Sequence, residues 1–234
     1  MLDIHRVFET AVFLREIPEN ARAALADHAT VRRHRDREYL WRVGDRQDGL
    51  HVVAEGMVQI GIMGPEGDEI VLHVEPRGGC LGEPSIYSPE GDRRTDGQAV
   101  GRTTTINVAE AEVRAVLESS PAAMHAFVRR VSQIARGHAR RIALVAFHDA
   151  RGRLARLLLD LAETHGVATE RGRSIGLPLS QRTIAGLVGV RRESVNRLIA
   201  ALEREGVLDF DDGVVTVLKE RLLRMALGIE GLLT

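Results

Sequence analysis

The sequence predicts an α+β protein with a β-rich amino-terminal half, a long central helix and a small carboxyl-terminal domain of short helices and a β-hairpin. Glycines divide residues 30–108 into short runs of alternating apolar residues, a pattern that is typical of antiparallel strands. A heptad pattern of apolar residues follows in residues 121–146. Two short amphipathic segments then flank a glycine in residues 181–200.

The composition is that of an ordinary globular protein. Of the 234 residues, 44% are hydrophobic and 28% are charged, and the formal net charge is −1. Any affinity for nucleic acid must therefore come from a local basic patch. The single cysteine, Cys80, excludes an intrachain disulfide and a four-cysteine metal site. No apolar run reaches membrane-spanning length and acids interrupt the apolar start of the chain, so we expect a cytoplasmic protein with no membrane partner.

Residues 1–109 are predicted to form the first domain. Short helices in residues 7–28 lead into strands that end at glycine or Asp-Gly turns, among them Gly56 and Gly67-Asp68. The clearest strands are LHVVA (50–54), MVQIGI (57–62) and EIVLHV (69–74). Short strands at such spacing predict a small β-barrel or jelly roll.

Residues 110–146 return to a helical pattern, which Pro121 restarts after two serines. Apolar residues there alternate at intervals of four and three, which favours a two-stranded coiled coil, although a helix lying on its own barrel would show a similar stripe. We therefore expect a homodimer, with His138 as a polar residue that sets the register of the pair rather than a sensing group. Flanking arginines such as Arg130 are interpreted as a solvated face. The predicted dimer contacts are Met124, Val128, Val131, Ala135, His138, Ile142 and Val145.

A break at residues 147–152 predicts a hinge, and residues 153–234 then form the last domain. The sequence VLDF, Asp-Asp-Gly and VVTV predicts a β-hairpin at its end. The predicted segments in order are a helix at 153–165, a glycine-rich loop at 166–176, a short IGL strand before Pro178, two helices around Gly189, and the hairpin strands at 207–210 and 214–217.

The two helices around Gly189 have the pattern of a helix-turn-helix. Ser180 stands where the first helix needs an N-cap, and Gly189 can take the positive φ of a tight turn. Apolar residues of the second helix, such as Val195 and Leu198, can pack back onto the first helix. With the hairpin, these helices predict a winged helix-turn-helix domain.

Packing of these apolar residues against the first helix leaves a charged face on the second helix. Arginine can bind guanine O6 and N7 in a bidentate manner, and glutamate can accept from cytosine N4. Residues 182–204 hold five arginines and two acids, so the patch is locally basic. The pattern predicts binding to double-stranded DNA, and the alternative is a helical hairpin with a solvated charged face. The candidate DNA contacts are Gln181, Arg182, Arg191, Arg192, Glu193, Asn196 and Arg197.

The order of these parts resembles the CRP/FNR family of bacterial transcription regulators over nearly the full chain. The segments that carry the resemblance are LWRVGDRQDGLHVVAEGMVQIGI, GDEIVLHVEPRGGCLGEPSIY and LSQRTIAGLVGVRRESVNRLIAALEREGVL. The resemblance implies a homodimer that senses a small molecule in the barrel, binds a two-fold-related DNA site and contacts RNA polymerase. Arg192, Glu193 and Arg197 stand where the family's cyclic-AMP receptor reads a TGTGA-like half-site, so a similar half-site is implied.

The effector side matches the family less well. Gly82-Glu83 matches the dipeptide whose carboxylate takes the ribose 2′-hydroxyl in cyclic-nucleotide members of the family. Alignment on the next strand puts Asp96 and Gly97 where a phosphate-binding arginine and serine are expected, and an aspartate would repel a phosphodiester. Arg93 or Arg94 could serve instead if the preceding loop is longer. On the long helix, His138 and Ala139 replace the Thr-Ser pair that contacts the purine.

Three alternatives therefore stay open for the barrel: cyclic AMP, another small effector, or no ligand at all. The candidate effector contacts are Gly82, Glu83, Ser85, Arg93, Arg94 and His138.

Other chemistries have less support in the sequence. One cysteine excludes the family's iron–sulfur branch, while a haem on His51 or His73 and a redox role for Cys80 are weaker alternatives. His148-Asp149 and His165 have no nucleophile elbow or metal motif beside them, so we expect no enzyme. A protein-interaction or ligand-binding module without DNA binding is the alternative function.

Overall fold

The structure is a computed structural model that describes residues 2–64, 69–177, 179–211 and 213–227. The predicted turn at Gly67-Asp68, and also Pro178 and Asp212, lie outside these ranges. Two compact units are present. One contains the chain up to Met63 together with Leu72–Ala139, and the other contains the chain from Arg140 onward with a few residues that precede Leu72. The units part at Arg140, whereas the sequence placed domain boundaries after residues 109, 146 and 152.

The first unit begins with the short helices that the sequence predicts. They are α1 (Ile4–Thr10), a 3-10 turn (Phe13–Glu16) and α2 (Glu19–Asp27). The carboxylate of Asp3 caps α1 by accepting a hydrogen bond from the backbone N–H of Arg6, and Pro18 precedes α2 at φ −55°. Apolar side chains of these segments, such as Phe8 and Leu14, are fully buried in the core of the unit.

Six strands form one sheet of jelly-roll type, and among the described residues this sheet does not close into a barrel. Its main order is β1-β6-β3-β4, with β2 on β6 and β5 on β3. The pairings of β6 with β1, β2 and β3, and of β3 with β5, run antiparallel. The mixed helix and strand architecture confirms the predicted fold class. The strands are β1 (Ala29–His34), β2 (Tyr39–Trp41), β3 (Leu50–Met63), β4 (Glu69–Pro76), β5 (Cys80–Leu81) and β6 (Asp96–Val108).

The predicted turn at Gly56 is wrong. The two predicted strands on either side of it form the single strand β3, and its pairing with β6 shifts register on both sides of Glu55. Gly56 has φ +78°, and a Cβ there would lie 2.6 Å from the carbonyl oxygen of Arg102. The glycine therefore makes a β-bulge within one strand, where only a residue without a side chain fits.

Helices α3 (Glu110–Ser119) and α4 (Pro121–Phe147) confirm the predicted helical region and its restart at Pro121. One stripe of α4 packs on its own unit. Phe127 is buried there, and its ring meets the rings of Phe13 and Tyr87 edge to face at centroid distances of 6.1 and 5.8 Å.

The seven predicted dimer positions on α4 fall into two groups. Met124 and Val131 pack partly against the core of their own chain, as a helix lying on its own jelly roll would show. His138 is half-buried. The other four positions, Val128, Ala135, Ile142 and Val145, are exposed.

The second unit holds the predicted helix-turn-helix and hairpin. Asp149 caps α5 by accepting from the N–H of Gly152, so only His148 and Asp149 separate α4 from α5. Residues 150–152 of the predicted hinge are helical and belong to α5. The helices are α5 (Ala150–His165), α6 (Gln181–Val188), α7 (Arg192–Arg204) and α8 (Glu220–Ala226), of which α8 was not predicted.

The predicted glycine-rich loop is also wrong, because residues 166–176 contain a hairpin of β7 (Gly166–Thr169) and β8 (Gly172–Ile175). Ile175 is the one residue of the predicted IGL strand that is extended in β8. The predicted carboxyl-terminal hairpin is confirmed as β9 (Leu208–Asp211) and β10 (Val214–Val217). All four strands join in the order β7-β8-β10-β9.

Within the described ranges, no helix has both the length and the apolar character that crossing a membrane requires.

The packing of Trp41 on Gly97 gives a test of the jelly-roll core. A Cβ on Gly97 would lie 2.7 Å from two ring atoms of Trp41. We expect Gly97→Ala to lower the free energy of unfolding by about 1–3 kcal/mol through overpacking. The matched control is Gly137→Ala on α4, where a Cβ would meet no atom within 4 Å. This change should raise stability by up to about 1 kcal/mol through helix propensity. Urea denaturation measures the change in the free energy of unfolding for both variants. Equal changes for Gly97→Ala and Gly137→Ala would contradict the packing of Trp41 on Gly97.

Candidate functional site

The helix-turn-helix is built from a cap, a turn and a buried stripe. The hydroxyl of Ser180 accepts from the N–H of Thr183 at 3.0 Å and so starts α6. Gly189 ends α6 in the left-handed conformation at φ 71°, with its N–H donating to the Ala185 carbonyl at 2.8 Å. Ile184 of α6 and Val195 of α7 are both fully buried. The apolar faces of the two helices are therefore turned inward, as the sequence predicts.

The opposite face of α7 exposes most of the predicted DNA contacts. Arg191, at the N-cap, and Arg192, Glu193 and Arg197, on the helix, are all exposed. The guanidinium of Arg197 donates to the hydroxyl of Ser194 at 3.3 Å. In the part of the chain that the structure describes, no carboxylate lies within ion-pair distance of Arg192 or Arg197. Both guanidinium groups are therefore free to bind an outside acceptor.

The remaining candidates for DNA contact differ in exposure. Arg182 is exposed on α6, whereas Gln181 is half-buried. Asn196 is also half-buried, and its side-chain oxygen is buried without a hydrogen-bond partner among the described residues. Asn196 is thus less available to a partner than its neighbours on α7.

In the jelly roll, the Gly82-Glu83 dipeptide lies beside Arg93. Gly82 has φ 95°, and a Cβ there would lie 2.6 Å from Nη1 of Arg93. Arg93 is only 1% exposed. Arg94, by contrast, is exposed and pairs with Asp92 at 3.1 Å. Of the two arginines that the sequence left open, Arg93 is the one that the fold brings to Gly82.

Asp96 and Gly97 have structural roles in the same region. The carboxylate of Asp96 accepts from the N–H of Val43 at 2.8 Å, and Gly97 lies under the ring of Trp41. Nothing in these contacts supports the alignment that put the two residues at the phosphate-binding positions.

Arg93 is held by an acid and an aromatic ring. Its Nη2 lies 2.6 Å from the Asp48 carboxylate and 3.1 Å from the Gly49 carbonyl, and its guanidinium stacks 4.1 Å above the Trp41 ring. Burial lowers the pKa of Arg93, although Asp48 opposes that shift. The Asp48–Arg93–Trp41 contact was missed in the sequence. The one sequence signal that could have predicted this contact is that a buried arginine needs an acid beside it.

Asp48 collects further partners. It lies 2.9 Å from Nε2 of His51 and 3.1 Å from the guanidinium of Arg32. Burial alone would raise the pKa of Asp48, but hydrogen bonds and charge from His51 and Arg93 hold it well below its usual value. The acid therefore stays ionised near neutral pH and serves as an internal counter-ion for Arg93.

Glu83 is engaged by the long helix. It is 2% exposed and accepts from Nε of Arg130 at 2.8 Å. Nη2 of the same arginine donates to Glu75 at 2.8 Å and to the Cys80 carbonyl at 3.2 Å. The interpretation of Arg130 as part of a solvated face is therefore wrong, because its side chain is largely buried and pairs with two acids of the jelly roll.

The other candidate effector residues and Cys80 lie in the same part of the jelly roll and α4. Ser85 is half-buried, and its N–H donates to the Gly82 carbonyl at 3.1 Å. The His138 ring lies 6.2 Å from that of His73, and its Nε2 is buried without a hydrogen-bond partner among the described residues. Cys80 is buried, and burial raises the pKa of its thiol well above the usual value. A protonated, buried thiol packs as a small apolar group.

Comparison with known proteins finds a family for each part of the chain. Residues 31–120 match the cyclic nucleotide-binding domain, and residues 152–226 match the Crp-like helix-turn-helix domain. The chain is similar to the CRP-like cAMP-activated global transcriptional regulator of Mycobacterium tuberculosis, with 28% identity over 78% of this chain and 82% of that protein.

Solved structures share the fold. The c-di-GMP responsive global regulator CLP of Xanthomonas campestris superposes with a TM-score of 0.74 at 22% identity, covering 86% of this chain and 99% of that one. FixK2 of Bradyrhizobium japonicum gives a TM-score of 0.75 at 18% identity, covering 85% of this chain and 96% of that one. The curated relatives are transcription regulators and not enzymes. The chain, with both domain types in the order that its sequence predicts, belongs to the CRP/FNR family of bacterial transcription regulators.

Proposed function

We propose that the protein is a homodimeric transcription regulator whose α7 helix reads a TGTGA-like half-site in the major groove. The observation that carries the proposal is the exposed trio of Arg192, Glu193 and Arg197 on a helix whose opposite face is buried. Such a helix offers two bidentate donors for the O6 and N7 atoms of guanine and one acceptor for the N4 amino group of cytosine. Since both arginines lack an ion pair within the described chain, DNA binding need not break an ion pair first.

The dimer is proposed to form along α4. Val128, Ala135, Ile142 and Val145 present an apolar stripe to solvent at heptad spacing, and Ile142 is 70% exposed. A stripe of this length is costly to leave in water and suits a second copy of the same helix. The proposed domain organisation is an effector domain in residues 1–109, a dimerisation helix in 110–146, a hinge in 147–152 and a DNA-binding domain in 153–234.

The proposed effector is a small molecule with an anionic group that competes with Asp48 for Arg93. Similar proteins already differ in effector, since the regulator of Mycobacterium tuberculosis is cAMP-activated and CLP is c-di-GMP responsive. Family membership alone therefore does not fix the ligand. Against cyclic AMP stand the Arg130 contact on Glu83 and the replacement of the purine-binding pair by His138 and Ala139.

Regulation is proposed to follow a population shift. An effector that binds one arrangement of the jelly roll and α4 more tightly would favour that arrangement in the dimer. The two α7 helices would then reach successive major grooves about 34 Å apart. RNA polymerase is the proposed protein partner, in keeping with the transcription regulators to which the chain is similar.

The role of Arg192 can be tested with an arginine at the other end of the same helix as control. We expect Arg192→Ala to lose about 1–3 kcal/mol of discrimination between a TGTGA-type palindrome and a scrambled duplex, because a bidentate base contact is removed. Arg204→Ala should keep the discrimination, because Arg204 lies in the last turn of α7. Gel-shift titration measures the affinities and size-exclusion chromatography verifies the dimer.

Full discrimination by the Arg192→Ala dimer would contradict base reading by this residue. Gel shifts of the unchanged protein at two salt concentrations distinguish a DNA-binding regulator from the alternative, an interaction or ligand-binding module that does not bind DNA. Binding through phosphates must weaken steeply as salt rises, whereas a module that does not bind DNA gives no shift at either concentration.

A second prediction concerns cyclic AMP. Saturating cyclic AMP should change DNA affinity by less than the roughly fivefold that marks the low end of allosteric coupling. The reason is that Arg93 and Glu83 already have protein partners. The same gel shift with and without the nucleotide measures this, and calorimetry on the free protein provides the direct check. Micromolar binding of cyclic AMP would overturn the view and identify Arg93 as its phosphate ligand.

A further inference from the structure

Two carboxylates and one guanidinium meet where α4 crosses the jelly roll. Glu75 comes from β4, Glu83 from the turn after β5, and Arg130 from α4, and each acid lies 2.8 Å from a different nitrogen of the arginine. All three are largely buried, with side-chain exposures of 14% for Glu75, 2% for Glu83 and 12% for Arg130. The cluster is therefore the ionic contact that joins the long helix to the sheet.

The charges of this cluster do not balance. If both acids are ionised, one negative charge remains in excess in a site with little solvent, and an uncompensated buried charge is strongly destabilising. Arg130 supplies only one positive charge, which it keeps because the two acids raise its pKa even though burial opposes that shift. A proton on one of the acids removes the excess charge.

The surroundings of Glu75 favour its protonated form. Burial, with a further contribution from the charge of Glu83, raises the pKa of Glu75 to about 7, and the Arg130 cation only partly opposes this. On its own strand, Nε2 of His73 lies 3.9 Å from the Glu75 carboxylate. The other groups of the site are the Cys80 thiol on β5, which burial keeps protonated, and His138 on α4, whose ring is next to that of His73.

We propose that Glu75 is a proton-sensing residue that makes the docking of α4 on the jelly roll depend on pH in the neutral range. With a proton on Glu75, Arg130 pairs with one anion, Glu83, and still donates to the neutral acid. Without that proton, two buried anions share one cation and the contact is weaker. Since α4 is also the proposed dimerisation helix, DNA affinity should respond to the same proton, and this second step rests on the proposed function.

The sign of the effect follows from the direction of the pKa shift. A group whose pKa is higher in the folded than in the unfolded protein stabilises the fold at low pH, and this contribution is lost as pH rises through the folded value. Glu75 should therefore stabilise the protein at pH 6 and no longer do so at pH 8. Buried histidines such as His51, whose pKa burial lowers, contribute with the opposite sign, so a comparison of variants is needed to isolate Glu75.

The test is chemical denaturation of the full chain between pH 6 and pH 8 at one protein concentration. Three proteins are compared: the unchanged protein, Glu75→Gln, which mimics the protonated acid, and Glu55→Gln, which changes an exposed glutamate of the same sheet. Relative to Glu75→Gln, the folding constant of the unchanged protein should fall about tenfold per protomer between pH 6 and pH 8. At pH 8, Glu75→Gln should be at least as stable as the unchanged protein. Glu55→Gln should follow the unchanged protein throughout.

Equal pH dependence of Glu75→Gln and the unchanged protein would overturn the proposal. So would a variant that is less stable at pH 8, as expected if Glu75 acts only as an ionised partner of Arg130 or if the proton resides on His73.

DNA affinity over the same pH range tests the second step. The pH dependence of the affinity should differ between the unchanged protein and Glu75→Gln, and identical dependence would overturn a role in regulation. If neither protein binds DNA at any pH while the stability difference persists, the proposed function fails and the proton-sensing residue stands.

Discussion

Helix α4 packs one stripe of its surface on its own jelly roll, and the proposed function depends on the stripe that this packing leaves free. Phe127 meets two aromatic rings of the first unit, and Arg130 is fixed by two acids one turn further along. Together they fix the rotation of the helix about its axis. Val128, which follows Phe127 on the helix, consequently faces solvent rather than the sheet.

Acids of the jelly roll pair with two largely buried arginines, Arg93 and Arg130. Arg93 has Asp48, and Arg130 has Glu75 and Glu83, so both charges that could contact an effector already have acids beside them. Breaking a buried pair by removing one partner costs on the order of 3–5 kcal/mol. A ligand that enters here must therefore exchange one ionic contact for another. A ligand that displaced Arg130 from Glu83 would break a contact of α4, because Arg130 belongs to that helix.

The elements with strong local signals were predictable from the sequence. Ser180 and Gly189 mark the ends of α6 through a cap and a positive φ, and Pro121 marks the start of α4, so the helix-turn-helix and the long helix were found. The family resemblance supplied the recognition trio, whose exposure agrees with a surface role. The identity of the half-site and of the effector stays a prediction.

The parts that were missed depend on contacts distant in sequence. Arg130 looks like a surface arginine in its own helix, because its acids Glu83 and Glu75 lie 47 and 55 residues away. The hairpin of β7 and β8 has weak strand character, and its pairing with β10 carries it into the sheet. Gly56 marks a bulge rather than a turn only because β6 pairs with β3 on both sides of it. No local pattern reports such neighbours.

The central claim is that two copies of α7 read base edges in a two-fold arrangement. Selection of binding sites from a random pool of duplex DNA tests it without any assumption about the sequence. We expect inverted repeats of a TGTGA-like half-site, with half-site centres one helical turn or a multiple of it apart. Recovery of unrelated sequences, or of a single half-site without its inverted partner, would contradict it.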